Sequence, residues 1–126
     1  MSVQARFPLI VAEGHDLCVV HGEDELNQFE QVDIENDEYR CWDRDGVPFK
    51  LTWDRRPGLA PTGGAPELPE LMGILGKSAQ LVGIDVDDQV HDPIEVAERI
   101  ILAFEERRRR TPIGRLARML RRWLRP

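Results

Sequence analysis

The period of the apolar residues changes along this chain, and that change narrows the fold more than any other feature. Through residues 38–53 apolar and polar side chains alternate, in Glu38-Tyr39-Arg40-Cys41-Trp42 and again in Val47-Pro48-Phe49-Lys50-Leu51-Thr52-Trp53. Alternation marks a half-buried strand. Through residues 94–104 the steps become three and four, with Ile94, Ala97, Ile100, Ile101 and Phe104 on one stripe, which is helical spacing. One chain carrying both patterns is expected to be α+β: a small antiparallel β-sheet with a short helix, a long helix packed on the sheet, and a C-terminal amphipathic helix. Its 126 residues suffice for a single core without disulfide or metal staples.

Turn chemistry places the elements. Phe7 to Ala12 and Leu17 to Val20 read as two strands around Glu13-Gly14-His15-Asp16. Glu23-Asp24-Glu25 opens one short helix, since acids suit the positive end of a helix dipole, and Leu26, Phe29 and Val32 follow at helical spacing. Asp43-Arg44-Asp45-Gly46 between two alternating runs signals a hairpin. Tyr39 and Cys41 then share one face, as do Val47, Phe49, Leu51 and Trp53, while Pro48 must stand on an edge or begin its strand because it lacks an N–H donor. Residues 55–70 hold four prolines and three glycines and read as a loop. Leu71 to Leu75 suits a helical turn that Gly73 and Gly76 weaken, and Val82, Ile84 and Val86 alternate as a further strand over residues 80–87. Asp92-Pro93 is an N-cap followed by proline at the first helical position, opening the long helix over residues 93–109. Thr111-Pro112 interrupts it and caps a second helix.

Charge divides the chain as sharply as periodicity does. All 23 carboxylates lie at or before Glu106, whereas nine of the 17 Lys/Arg follow it. The eight earlier cations leave residues 1–106 at −15, and the last twenty residues carry +9, giving the net −6. Residues 1–110 thus form an acidic domain, and residues 111–126 an Arg-rich amphipathic helix. In that helix Ile113, Leu116, Ala117, Leu120, Trp123 and Leu124 line one face, and Arg115, Arg118, Arg121, Arg122 and Arg125 occupy the rest. Such a helix can fold back on its own acidic body, lie on an anionic membrane surface or enter a partner's groove. Nucleic acid is disfavoured, because the acidic body repels it over a Debye length.

Chemistry-bearing motifs are few. Asp43-Arg44-Asp45-Gly46 lacks the downstream glutamate of a calcium loop and reads as a turn. Asp85-Val86-Asp87-Asp88, with His91 and Asp92, reads as a solvated strand-to-helix loop. His15, His21 and His91 have neither His-x3-His spacing nor Cys-x2-Cys companions for zinc. Gly73-Ile-Leu-Gly76-Lys77-Ser78 ends like a phosphate loop but lacks that loop's first glycine. Cys18 and Cys41 read as buried thiols, with a disulfide open to them if they stand on neighbouring strands in an oxidising compartment. No catalytic residue, metal ligand or cofactor is expected, although an uncharacterised enzymatic activity stays open. The N-terminus has no secretory apolar region, so the default location is the cytoplasm, with the inner face of the membrane within reach of the tail.

Glu25-Leu26 through Asp33, followed by Glu38-Tyr39-Arg40-Cys41-Trp42-Asp43-Arg44-Asp45-Gly46-Val47-Pro48, resembles a diffuse group of small bacterial proteins. These share a short helix, an acidic spacer, Glu-Tyr and an Asp-x-x-Gly turn, and some are similar to immunity or accessory proteins of bacterial toxins. The resemblance covers residues 7–54 and carries over no functional residue. It implies a non-enzymatic protein-binding module whose acidic surface meets a toxin or effector. The alternative is a peripheral membrane protein tethered by residues 111–126.

Overall fold

The computed structural model describes residues 4–14, 16–85 and 92–110. Five strands, β1 Leu9–Glu13, β2 Asp16–Val20, β3 Arg40–Trp42, β4 Pro48–Trp53 and β5 Pro57–Pro61, form one antiparallel sheet in the order β2-β1-β3-β4-β5. A 3-10 turn, Glu23–Gln28, and three helices, α1 Gln31–Glu35, α2 Leu68–Val82 and α3 Pro93–Arg110, complete it. The α+β fold expected from the two periodicities is the one observed.

The sheet separates two apolar layers. The pleat of β1 turns Ile10 and Ala12 toward α2 and α3, where they meet Trp42, Leu71, Leu75, Ala79, Ala97 and Ile100. It turns Leu9 and Val11 toward the 3-10 turn and α1, where they meet Leu26, Phe29, Ile34, Cys41, Phe49 and Leu51. A strand buried on both sides reads as a continuous apolar run, and Leu9, Ile10, Val11 and Ala12 are all buried. Tyr39, Val47 and Trp53 pack against the second layer, as their alternation requires. Pro48 is the first residue of β4, the position where a missing N–H is tolerated.

The turn between β3 and β4 is fastened by Asp43, which is 2% exposed. Its Oδ1 accepts hydrogen bonds from Asp45 N at 2.9 Å and Val47 N at 3.0 Å, and its Oδ2 from Arg6 N at 3.3 Å. Gly46 has φ +80°, and a Cβ there would lie 3.0 Å from Leu68 N. Glycine is therefore required twice, for the left-handed backbone and for the approach of α2. Glu67 N donates to Gly46 O at 2.8 Å, tying the start of α2 to the turn.

Three expectations fail for physical reasons. Residues 80–82 are the last turn of α2, not a strand, and Gly83 closes the helix with φ 75°. Leu71, Leu75 and Ala79 lie at steps of four and bury one helical stripe, with Pro69 in the first turn. Gly73 and Gly76 each cost about 1 kcal/mol against alanine, less than the burial of two leucines returns. Residues 55–70 are not one loop either. Pro57–Pro61 pairs with β4 as an edge strand, and its two prolines stand at its ends. The single helix expected after Glu23 breaks at Phe29 and Glu30 into the 3-10 turn and α1, leaving Val32 57% exposed.

α3 follows its sequence closely. Asp92 Oδ1 accepts a hydrogen bond from Ile94 N at 3.0 Å, which is the N-cap that the Asp-Pro pair predicts. The expected helix over residues 111–126 lies outside the described residues, as do Val86 to His91.

Candidate functional site

At the hairpin end of the sheet the fold gathers carboxylates that are distant in sequence. Glu13 ends β1 on the face that Leu9 and Val11 occupy, Asp33 lies on α1, and Glu38 precedes β3. One oxygen from each falls within 4.8 Å of the others. β1 and β3 run antiparallel with Ala12 opposite Arg40, so the end of one strand and the approach to the other must meet. α1 crosses this edge because Ile34 is buried in the layer below it.

Tyr39 forms the wall beside this cluster. Its ring meets Phe29 edge-on, with centroids 5.0 Å apart at 63°, a favoured aromatic geometry. Its hydroxyl donates to Asp33 Oδ2 at 3.3 Å. The adjoining cleft of about 350 Å³ is lined by Glu13, Cys18, Phe29, Glu30, Asp33 and Tyr39, among others. A hydrogen bond with Asp33 raises the Glu38 carboxyl above its ordinary 4.5, with desolvation and the negative charges of Asp33 and Glu13 acting in the same direction. Desolvation, then the charges of Glu13 and Asp33, also raises the Tyr39 hydroxyl. Three oxygens of this kind could also hold a hard cation such as Ca²⁺ or Mg²⁺, which favours carboxylate ligands.

The cysteines stand apart from one another. Val11 pairs with Cys18 on one side and with Cys41 on the other, so β1 separates the thiols by two strand spacings, about 9–10 Å. That exceeds the reach of a disulfide, and both cysteines are free. The neighbouring-strand condition for a disulfide is therefore not met. Burial pushes the Cys41 thiol up to about 12, with Asp43 adding to the effect. Burial, then Glu25, raises Cys18. Neither environment produces the thiolate a nucleophile needs.

The sequence-predicted site residues Ile113, Arg115, Leu116, Arg118, Leu120, Arg121, Arg122, Trp123, Leu124 and Arg125 lie outside the described residues, as do His15 and His91. Sequence reasoning missed Glu13, Asp33 and Glu38, because their meeting is a tertiary event. The signal for two of them was present: Glu13 closes one expected strand and Glu38 opens another. No described helix is long and apolar enough to cross a membrane. Comparison with family models, curated proteins and solved structures gives no match for this chain.

Proposed function

We propose that the protein is a non-catalytic binding module that receives a cationic protein partner on the Glu13–Asp33–Glu38 edge. A toxin or effector whose basic surface must be covered fits the resemblance in residues 7–54. The observation that carries this reading is the convergence of three carboxylates within 4.8 Å beside the Tyr39 ring. Like charges held this close repel, and a partner's Lys or Arg offsets that repulsion as it docks. Tyr39 and Phe29 supply a rigid aromatic surface of the type enriched at interfaces.

The test is affinity capture from the source organism, with an Asp33→Asn/Glu38→Gln double variant as the control, followed by titration of the purified partner. The wild type is expected to capture a basic protein that the variant loses, with affinity about tenfold to a hundredfold weaker, about 1.4–2.7 kcal/mol. A partner bound equally by both proteins, with no dependence on salt, would sink the reading. A second reading is a divalent cation at the same three carboxylates. Calorimetric titration with Ca²⁺ and Mg²⁺ separates the two, because only this second reading predicts saturable heat without protein partner.

A further inference from the structure

The two edges of the sheet are finished differently. Asp43 N donates to Val47 O at 2.9 Å, which sets the phase of the β3–β4 ladder, since bonded and non-bonded pairs alternate along antiparallel strands. Cys41 and Phe49 are therefore a bonded pair. Carried through the registers, the alternation turns the backbone groups of Leu17 and Val19 outward from β2, and those of Pro57, Leu59 and Pro61 outward from β5. Two of the three outward positions on β5 are thus prolines, which have no N–H, and proline there protects an edge against a further strand. β2 has no such protection. It ends the sheet, and among the described residues no strand pairs with its outer side. Val19 O meets the Cys18 thiol at 3.8 Å, a weak donor.

This open edge runs between two hollows. On the α3 face, one of about 480 Å³ is lined by Leu17 and Val19 from the strand and by Glu98, Ile101, Leu102 and Glu105 from α3, and Leu102 is 67% exposed. On the opposite face, Cys18 lines the acidic cleft that holds Glu13, Glu30 and Asp33. Among the described residues no Lys or Arg lines either hollow.

We propose that β2 receives an extended segment of a partner protein, with basic and apolar residues in alternation, as a sixth strand of the sheet. The added backbone lies about 4.8 Å beyond β2 and bonds the outward groups of Leu17 and Val19. Directly opposed residues share a face of a sheet. Side chains opposite Leu17 and Val19 therefore enter the apolar hollow beside Leu102, and those opposite Asp16, Cys18 and Val20 turn toward the acidic cleft. Apolar residues suit the first set and Lys or Arg the second, so the period of two is itself the specificity. The cationic half of this preference rests on the reading of Glu13, Asp33 and Glu38 as a site for a basic partner; the backbone half stands on the edge alone. Charge decides against a second copy as the occupant. Self-pairing of β2 about Cys18 would present Asp16, Cys18 and Val20 to the acidic cleft, an acid and no cation.

The probe is a short capped peptide that alternates lysine and valine, titrated into the full chain, with a peptide of the same composition in two blocks as the control. The alternating peptide is expected to bind at least tenfold more tightly than the blocks. Its binding should slow amide exchange at Leu17 and Val19 and leave Cys18, already bonded to β1, unchanged. Val19→Pro removes an outward N–H without taking a bond from β1 and is expected to weaken the peptide at least tenfold. Methylating the peptide nitrogens that face β2 should give the same loss on unaltered protein. Equal binding of the two peptides, or binding without slower exchange at Leu17 and Val19, overturns strand addition and leaves the acidic-edge reading standing. Equal affinity for the Asp33→Asn/Glu38→Gln variant, with Leu17 and Val19 still protected, overturns the cationic preference together with that reading. Leu17 and Val19 amides already protected without peptide overturn the proposal: in favour of a second copy where protection grows with protein concentration, and of another segment of this chain where it does not.

Discussion

The two faces of the sheet are covered by helices of different kinds, and they treat surface carboxylates in opposite ways. On one face α2 and α3, fifteen and eighteen residues long, bury Leu71, Leu75 and Ala97 completely or nearly so. There Arg40 donates to Glu70 at 2.8 Å and lies 4.8 Å from the centroid of the Trp42 ring. That hydrogen bond holds the Glu70 carboxyl below its ordinary 4.5. On the other face the cover is a 3-10 turn and a five-residue α1, too short to be helical without tertiary support. There Glu38 meets Asp33 and Glu13 and is pushed above 4.5. On one face Arg40 stands against Glu67 and Glu70; on the other Glu13, Asp33 and Glu38 gather within 4.8 Å of one another. The first arrangement serves stability, and the second leaves a repulsion that a cationic partner can relieve.

The largest effect that would sharpen this contrast is in the cores. Trp42→Ala is expected to lose about 3–5 kcal/mol, since Trp42 is 1% exposed and packs beneath α2. Ile34→Ala, beneath the short helix, is expected near 2 kcal/mol, the low end for such truncations, because α1 can settle into the space. Urea unfolding measures both, and equal losses would break the comparison. Next in size is Asp43→Ala, expected to cost about 1–3 kcal/mol by leaving backbone N–H groups at Arg6, Asp45 and Val47 without their acceptor. That loss should be accompanied by faster amide exchange at Asp45 and Val47, whereas a purely electrostatic role would leave exchange unchanged.

The smallest effects bear most directly on charge. Glu38 has a raised carboxyl, so its contribution is fully present below 4.5 and is lost as pH rises through the higher folded value. Glu38→Gln should therefore stabilise the protein at neutral pH and do nothing in acid. Glu70 has the opposite sign: its contribution is present above 4.5 and disappears as pH falls through the lower folded value. Glu70→Gln should destabilise at neutral pH and be silent in acid. Melting temperatures of the two variants at neutral and acid pH decide the matter, and shifts of the same sign would remove the distinction between the faces.

Local signals were legible where local chemistry decides. Asp43 to Gly46 announced a turn because the side chain of Asp43 and the positive φ of Gly46 close it from within. Asp92-Pro93 announced a helix start because the cap is a contact two residues long. α2 was obscured because its glycines argue against a helix that tertiary burial of Leu71, Leu75 and Ala79 sustains. β5 was hidden by the prolines that stand at its ends. The acidic edge was illegible for a deeper reason. Glu13 and Glu38 needed the pairing of β1 with β3, and Asp33 needed Ile34 to find its layer, so no short window of sequence contains the site.

The double-sided burial of β1 has a consequence for how the molecule comes apart. Leu9 and Val11 belong to one apolar layer, Ile10 and Ala12 to the other, and a single run of backbone is common to both. Neither layer can melt while the other persists, because releasing β1 from one removes it from both. Denaturation should follow one cooperative transition, with amides of Ile10 and Val11 exchanging only through global opening.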